Sequence, residues 1–318
     1  MLIDKEVIDW LLEGDPCIRF QTMRDLLGSS SSSLKKLQHE IGKAGWGNRF
    51  LSFQEKSGVW GGDLYSPKWI STHYTLMTLM RLGLPSENEQ AKTGCRILLN
   101  KGYYPKDGGI NHFKSMNNSE TCVTAMTLSL LCHFNIQDDR LADLKNFLLN
   151  QQMPDGGWNC EKYRGATHSS FHTTISVLES LAYAERTESI KSEDIPLARA
   201  GGHEFLLQHH LFRSDKTGEI VNQAMTRFSF PPRWKYDIMR ALDYFQEVNA
   251  PHDPRFCDAI TLLKKKEKNG KWPLQQKHTG LVYFDMEKPG KPSRINTLRA
   301  LRILKWWQTR PNSLLCAN

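Results

Sequence analysis

No apolar run in this 318-residue chain approaches the ~20 residues that span a bilayer, which argues against a transmembrane helix. Met1 to Asp15 is charged and amphipathic, without the uninterrupted apolar segment of a secretory leader. Strand signals are scarce, and no series of alternating runs is joined by hairpin turns. The seven cysteines are odd in number and follow no framework spacing. That pattern argues against a disulfide scaffold and for reduced thiols, so a cytoplasmic location is expected. Cys316 lies third from the end, one place off for a prenylation box. Acidic residues are outnumbered 34 to 42, for a net charge of +8. The basic residues are dispersed, and the one dense run, Lys264 to Lys268, reads as a solvated helix end. It lacks the interleaved aromatics of a nucleic-acid surface, so no nucleic-acid partner is expected.

What the chain does contain is helical periodicity. Amphipathic helices alternate with nearly uncharged ones. The clearest unit is an amphipathic run over Asp139 to Gln152, then the turn Pro154-Asp155-Gly156-Gly157-Trp158, then an apolar run over Thr167 to Tyr183. Such turns recur at Gly58, Gly108, Gly156, Gly218 and Gly270, and recurrence at this period marks a repeat architecture. Six apolar helices are expected to begin near Pro16, Pro67, Asn118, Thr167, Arg233 and Pro292. A helix apolar on nearly all sides must be buried on most of them, and six amphipathic partners are present to cover these. The expected fold is all-α: an α/α toroid of six inner and six outer helices in a closed double ring. An open solenoid would need capping repeats with a polar outer face. Residues 1–310 would form this single domain and 311–318 a C-terminal tail.

In a closed ring the inner helices run parallel. Their N-termini then share one end, with a positive potential. Polar and aromatic residues of the first turns should line the mouth of a cavity there: Arg19, Trp69, His73, Glu120, Cys122, His168, His172, Trp234, Tyr236, Asp237 and Arg294. Glu120 or Asp237 could serve as an acid with its pKa raised by burial. Trp69 and Trp234 could face a cation or a polyene, or simply fill the mouth. Arg19 and Arg294 suit an anion or a salt bridge between helices.

Gln54-x-x-x-Gly58-x-Trp60 and Gln152-x-x-x-Gly156-x-Trp158 both match the QxxxGxW repeat of squalene and hopene cyclases. Gly270 with Trp272 is a partial match, with Lys266 in place of the Gln. Nearly the whole chain resembles the α/α toroid of terpenoid cyclases and protein prenyltransferase β subunits. The Asp-x-Asp-Asp acid motif of the squalene cyclases is absent. Prenyltransferases hold zinc with Asp-x-Cys on one inner helix and His-Thr on the next. Glu120-Thr121-Cys122 and His172-Thr173 resemble those elements, with His168 as a further ligand or proton donor and Cys160 as an alternative ligand. Zinc accepts carboxylate, thiolate and imidazole and leaves a fourth position open. Lys114 stands where those enzymes carry a diphosphate-binding base, whereas Asn117 and Val123 depart from their pattern. The resemblance implies an enzyme acting on a hydrophobic, isoprenoid small molecule, with zinc as cofactor. It also implies a protein partner, since prenyltransferase β subunits pair with an α-helical subunit; a homodimer is the other form. Two alternatives stand beside it. One is a metal-free acid-catalysed cyclase or isomerase using Glu120, Asp237 or His168. The other is a non-catalytic toroid that binds a ligand or a protein.

Overall fold

In the computed structural model the described residues are 3–113, 115–187, 190 and 192–309; the 311–318 tail lies outside them. They form thirteen α-helices and one antiparallel pair of two-residue strands, β1 (Tyr103–Tyr104) and β2 (Gly109–Ile110). The inner helices are α2 (Pro16–Asp25), α5 (Thr72–Leu82), α7 (Thr121–His133), α9 (Phe171–Glu185), α11 (Ile238–Glu247) and α13 (Arg294–Gln308). The outer ones are α1 (Lys5–Leu12), α3 (Ser31–Glu40), α4 (Gly45–Leu51), α6 (Glu89–Gly102), α8 (Arg140–Asn150), α10 (Asp194–Gln208) and α12 (Cys257–Lys265).

The inner ring closes. Helix α5 packs on α7, α7 on α9, α11 on α13, and α13 on α2. Arg240 of α11 reaches Ser176 and Glu179 of α9. Gln21 of α2 donates to the last carbonyls of α5, Arg81 O and Leu82 O, which completes the circle. Helices α7 and α9 pack along one another, and each carries small buried residues, Ala125 and Ser129 on α7 and Ser176 and Ser180 on α9. Outside them, α6 bridges α5 and α7, α8 bridges α7 and α9, α10 packs on α8 and α9, and α12 on α11. The all-α toroid of the sequence reading is the observed architecture. One outer position is split between α3 and α4.

Several inner helices begin later than the periodicity predicts: Thr72 rather than Pro67, Thr121 rather than Asn118, Phe171 rather than Thr167, and Ile238 rather than Arg233. In the first three, the residues just before or at the helix start pair with the preceding turn. Thr72 N–H donates to Asp63 O, Glu120 N–H to Ile110 O, and Ser170 N–H to Trp158 O. Trp69, His168, Trp234 and Tyr236 therefore sit in non-helical approach segments.

The repeat turns are knots of side chain to backbone. The Trp60, Trp158 and Trp272 indoles donate to Phe50 O, Leu148 O and Leu263 O, each at 2.8 Å. The main-chain N–H of each tryptophan donates to a threonine hydroxyl of the next inner helix: Thr72, Thr174 and Thr297. Gln54 donates to Gly58 O and to Gln90 O of α6; Gln152 donates to Gly156 O and to Ala198 O of α10. Each glutamine thus ties its own turn to a second outer helix. Gly156 has φ +89°, and a Cβ there would lie 2.5 Å from Gly201 O, so the turn requires glycine on both counts.

Cys17, Cys95, Cys122, Cys132 and Cys160 are free thiols, whereas Cys257 is disulfide-bonded. The expectation of reduced thiols does not hold at Cys257.

These knots set the first prediction. Trp158→Ala removes a fully buried indole and its hydrogen bond, and should cost about 3–5 kcal/mol. Gln152→Ala leaves two carbonyls without their donor and should cost about 1–3 kcal/mol. Denaturant unfolding measures both; a Gln152→Ala midpoint equal to wild type would show that the glutamine ties nothing.

Candidate functional site

The N-terminal mouth of the inner ring is covered. Residues 227–236 run beneath it, and Arg233, almost fully buried, donates to Thr78 Oγ1 of α5 and lies over the Trp69 ring at 5.2 Å. Burial lowers its pKa to about 10, so it stays charged at neutral pH. Residues 276–288 form a second layer. Thr279 O accepts the Trp69 indole N–H, Tyr283 donates to Ile70 O, and the Tyr283 ring stacks on Phe53 at 4.1 Å.

The residues expected at this mouth are consequently divided among separate environments. Glu120, Cys122 and Cys160 form one cluster. The Glu120 carboxyl is raised by burial, partly offset by Lys68. Cys160 Sγ accepts the Cys122 main-chain N–H at 3.2 Å. His172 is held elsewhere: its Nδ1 accepts the Tyr236 N–H at 2.8 Å and its ring meets Trp234 edge-on. Burial lowers its pKa to about 4, so it is neutral at pH 7. His168 is exposed, and its main-chain oxygen accepts from Asn159. Asp237 is buried as the N-cap of α11, accepting from Arg240 N–H and from Ser229 N–H and Oγ–H, which anchors the covering segment. Tyr236 donates to Leu211 O. Arg19 pairs with Glu40 of α3. Arg294 donates to Trp10 O and lies over that indole. His73 is fully buried, its pKa lowered to about 3 by burial, with Tyr65 and His112 beside it. Lys114 lies outside the described residues.

The donor set for zinc does not converge. With Nδ1 of His172 occupied by a backbone amide, His168 in solvent and the two thiols turned to one another, no three His, Cys, Asp or Glu side chains among the described residues are grouped to hold a metal ion.

A chamber runs inside the ring from the covering segment, which contributes Phe230 and Pro232, toward the C-terminal ends of α5, α7 and α9. It measures about 420 Å³, within the ~300–1,000 Å³ of small-molecule sites, and all six inner helices contribute to its lining. Ile18, Met80, Phe230, Pro232, Ile295 and Leu298 form its apolar part. The remainder is mostly charged, with six arginines (24, 81, 186, 240, 299 and 302) and four carboxylates (Asp25, Glu179, Asp243 and Glu247). Glu179 lies between two guanidiniums: Arg81 donates to it at 2.8 Å and Arg240 at 2.9 and 2.8 Å. Asp243 lies between Arg299 at 3.0 Å and Arg302 at 2.6 and 2.5 Å, and Arg302 continues to Asp25 at 3.0 Å. These guanidiniums hold all three carboxyls below the ordinary carboxylate range against the opposing effect of burial. His133, the sole lining residue from α7, is lowered by burial to about 4 and is neutral at pH 7. The chamber can therefore hold an anion beside an apolar body, and Glu179, Asp243 and Asp25 are ionised and not proton donors at neutral pH.

These charged residues escaped the sequence reading. Their signal was isolated charge within otherwise apolar helices, such as Arg81 after Thr75-Leu76-Met77-Thr78-Leu79-Met80, or Glu179 in Ile175-Ser176-Val177-Leu178-Glu179-Ser180-Leu181.

No family model and no curated protein matches the chain. Among solved structures it is similar to the type II terpene cyclase MstE from Scytonema. Against the apo enzyme the identity is 16%, the coverage 92% of this chain and 88% of that one, and the TM-score 0.45. Against an apo variant the values are 17%, 96%, 87% and 0.43. Against a variant in complex with geranylgeranyl dihydroxybenzoate, the substrate of that enzyme, they are 17%, 95%, 86% and 0.45. Likeness at this level speaks only to the course of the chain. Among the described residues no helix is long and apolar enough to cross a membrane.

Glu179→Gln should cost about 3–5 kcal/mol at pH 7, because Arg81 and Arg240 are left without their counter-charge. The folded-state pKa of Glu179 is depressed from 4.5. Its contribution is therefore fully present above that value and is lost as pH falls through the lower folded value. Unfolding measured from pH 7 to 3 should show a steep acid loss in wild type and a shallower one in Glu179→Gln; parallel curves would contradict this.

Proposed function

We propose that the chain is an enzyme whose site is the arginine-lined chamber, acting on a small isoprenoid that carries an anionic head group. The observation that carries this reading is the pairing, in one space, of an apolar floor with six guanidiniums against four carboxylates. The charge excess favours an anionic head, and guanidiniums match phosphate or carboxylate oxygens in a planar fork. The apolar floor suits the hydrocarbon, and the QxxxGxW turns supply the isoprenoid class.

Glu179, Asp243 and Asp25 are held ionised, which is unsuited to protonating an alkene. The chamber is suited instead to stabilising a departing anion by preorganised positive charge, with the paired carboxylates balancing the cation left behind. Cyclisation or isomerisation after loss of the anion fits this wall. Zinc has no place in the reading, since the candidate ligands do not come together.

A second reading has its own observation. Glu179 and Asp243 are each shared by two arginines, and such a network is sufficient to fasten the ring without any ligand. The toroid would then bind a partner or a ligand without turnover.

The two separate in one experiment. Geranyl diphosphate should raise the melting temperature more than either geraniol or inorganic diphosphate, and should release diphosphate on incubation. Arg299→Ala should reduce that shift. Stabilisation without release supports binding alone, and equal responses to geranyl diphosphate and geraniol would sink the anionic-head assignment.

A further inference from the structure

Cys160 and Cys122 meet outside the chamber. Cys122 is the second residue of α7, and Cys160 lies in the loop that follows the Trp158 turn. The Cys160 sulfur accepts the main-chain N–H of Cys122 at 3.2 Å and the Thr173 hydroxyl at 3.4 Å. The Cys160 N–H donates in turn to Thr173 Oγ1 at 3.2 Å, which fixes the loop around the sulfur. The Cys160 sulfur thus sits against the backbone of Cys122, which makes the two cysteines near neighbours. Proximity of the two cysteines is the first requirement for a disulfide.

Access is the second requirement. Cys160 lines an open pocket of about 200 Å³ bounded by Asn118, Ser119, Thr121, Asn150 and Tyr163. That volume admits a small hydroperoxide. Cys17 and Cys95, by contrast, are fully buried. Donors converging on one sulfur, a second thiol against it and an open pocket beside it together describe a reactive pair.

We propose that Cys160 is a peroxide-reactive thiol and that Cys122 is its resolving partner. The Cys160 sulfur attacks the peroxide, the O–O bond breaks, and Cys160 sulfenic acid and an alcohol (or water) form. The Cys122 sulfur then displaces hydroxide from that sulfur. A Cys122–Cys160 disulfide and one water result, so the two thiols supply the two electrons that reduce the peroxide. The product joins the start of α7 to the loop leading into α9. This inference does not depend on the proposed chamber chemistry.

The test uses the full chain with a small excess of hydrogen peroxide. Wild type should lose two titratable thiols per chain, and a proteolytic digest should contain the peptides of Cys122 and Cys160 joined. Cys122→Ser should instead trap dimedone on Cys160, and Cys160→Ser should trap none and form no joined peptide. Circular dichroism melts of both variants verify that they are folded. If either does not fold, differential alkylation of wild type before and after peroxide gives the same assignment. Oxidation of Cys132 ahead of Cys160, or dimedone on Cys122 in Cys160→Ser, would overturn the proposal.

Discussion

A guanidinium removed from water must be given a counter-charge, and the inner ring of this protein is arranged by that requirement. Arg81, Arg240, Arg299 and Arg302 stand on helices otherwise filled with apolar and small side chains. Leaving any of them unpaired would cost several kcal/mol. Glu179 answers two of them and Asp243 the other two. Each carboxylate joins different helices: Glu179 ties α5 and α11 to α9, and Asp243 ties α13 to α11, with Asp25 extending the chain of charge to α2. Five of the six inner helices are thereby fastened at one level. The sixth, α7, packs along α9 and offers the chamber only His133.

This division fixes where space remains. At the N-terminal end, Arg233 and Trp69 lock the covering segment beneath a second layer. Inside the ring, side chains held apart by their ion pairs cannot collapse into the axis. Glu179 and Asp243 neutralise part of the arginine charge first, and an anionic ligand has to draw on what remains. Chemistry placed in the chamber thus depends on the arginines twice, once for the integrity of the ring and once for the head group.

How much of this was legible in the sequence follows from the range of each interaction. The turn knots were readable because Gln54 with Gly58, and Trp158 with Leu148, close loops of ten residues or fewer. The double ring was readable because helical periodicity shows burial without naming partners. The chamber was not, because Arg81 and Glu179 are 98 positions apart and no local pattern couples them. The covered mouth was not, because residues 227–236 and 276–288 have no period, and the first turns of the inner helices were therefore assumed to face open space. Glu120, Cys122 and Cys160 did come together as a cluster, but His172 was claimed by the Tyr236 amide, a contact 64 positions long.

The most direct measurement is a crystal structure of the protein with a non-hydrolysable geranyl diphosphate analogue. The account predicts phosphorus density in the chamber within hydrogen-bond reach of its arginines, with the prenyl chain along Ile18, Phe230 and Leu298. Phosphorus density at the N-terminal mouth instead, beside Trp234 and the Lys68 and Lys235 ammoniums that lie over its ring, would contradict it and return the site to the mouth that the sequence first indicated.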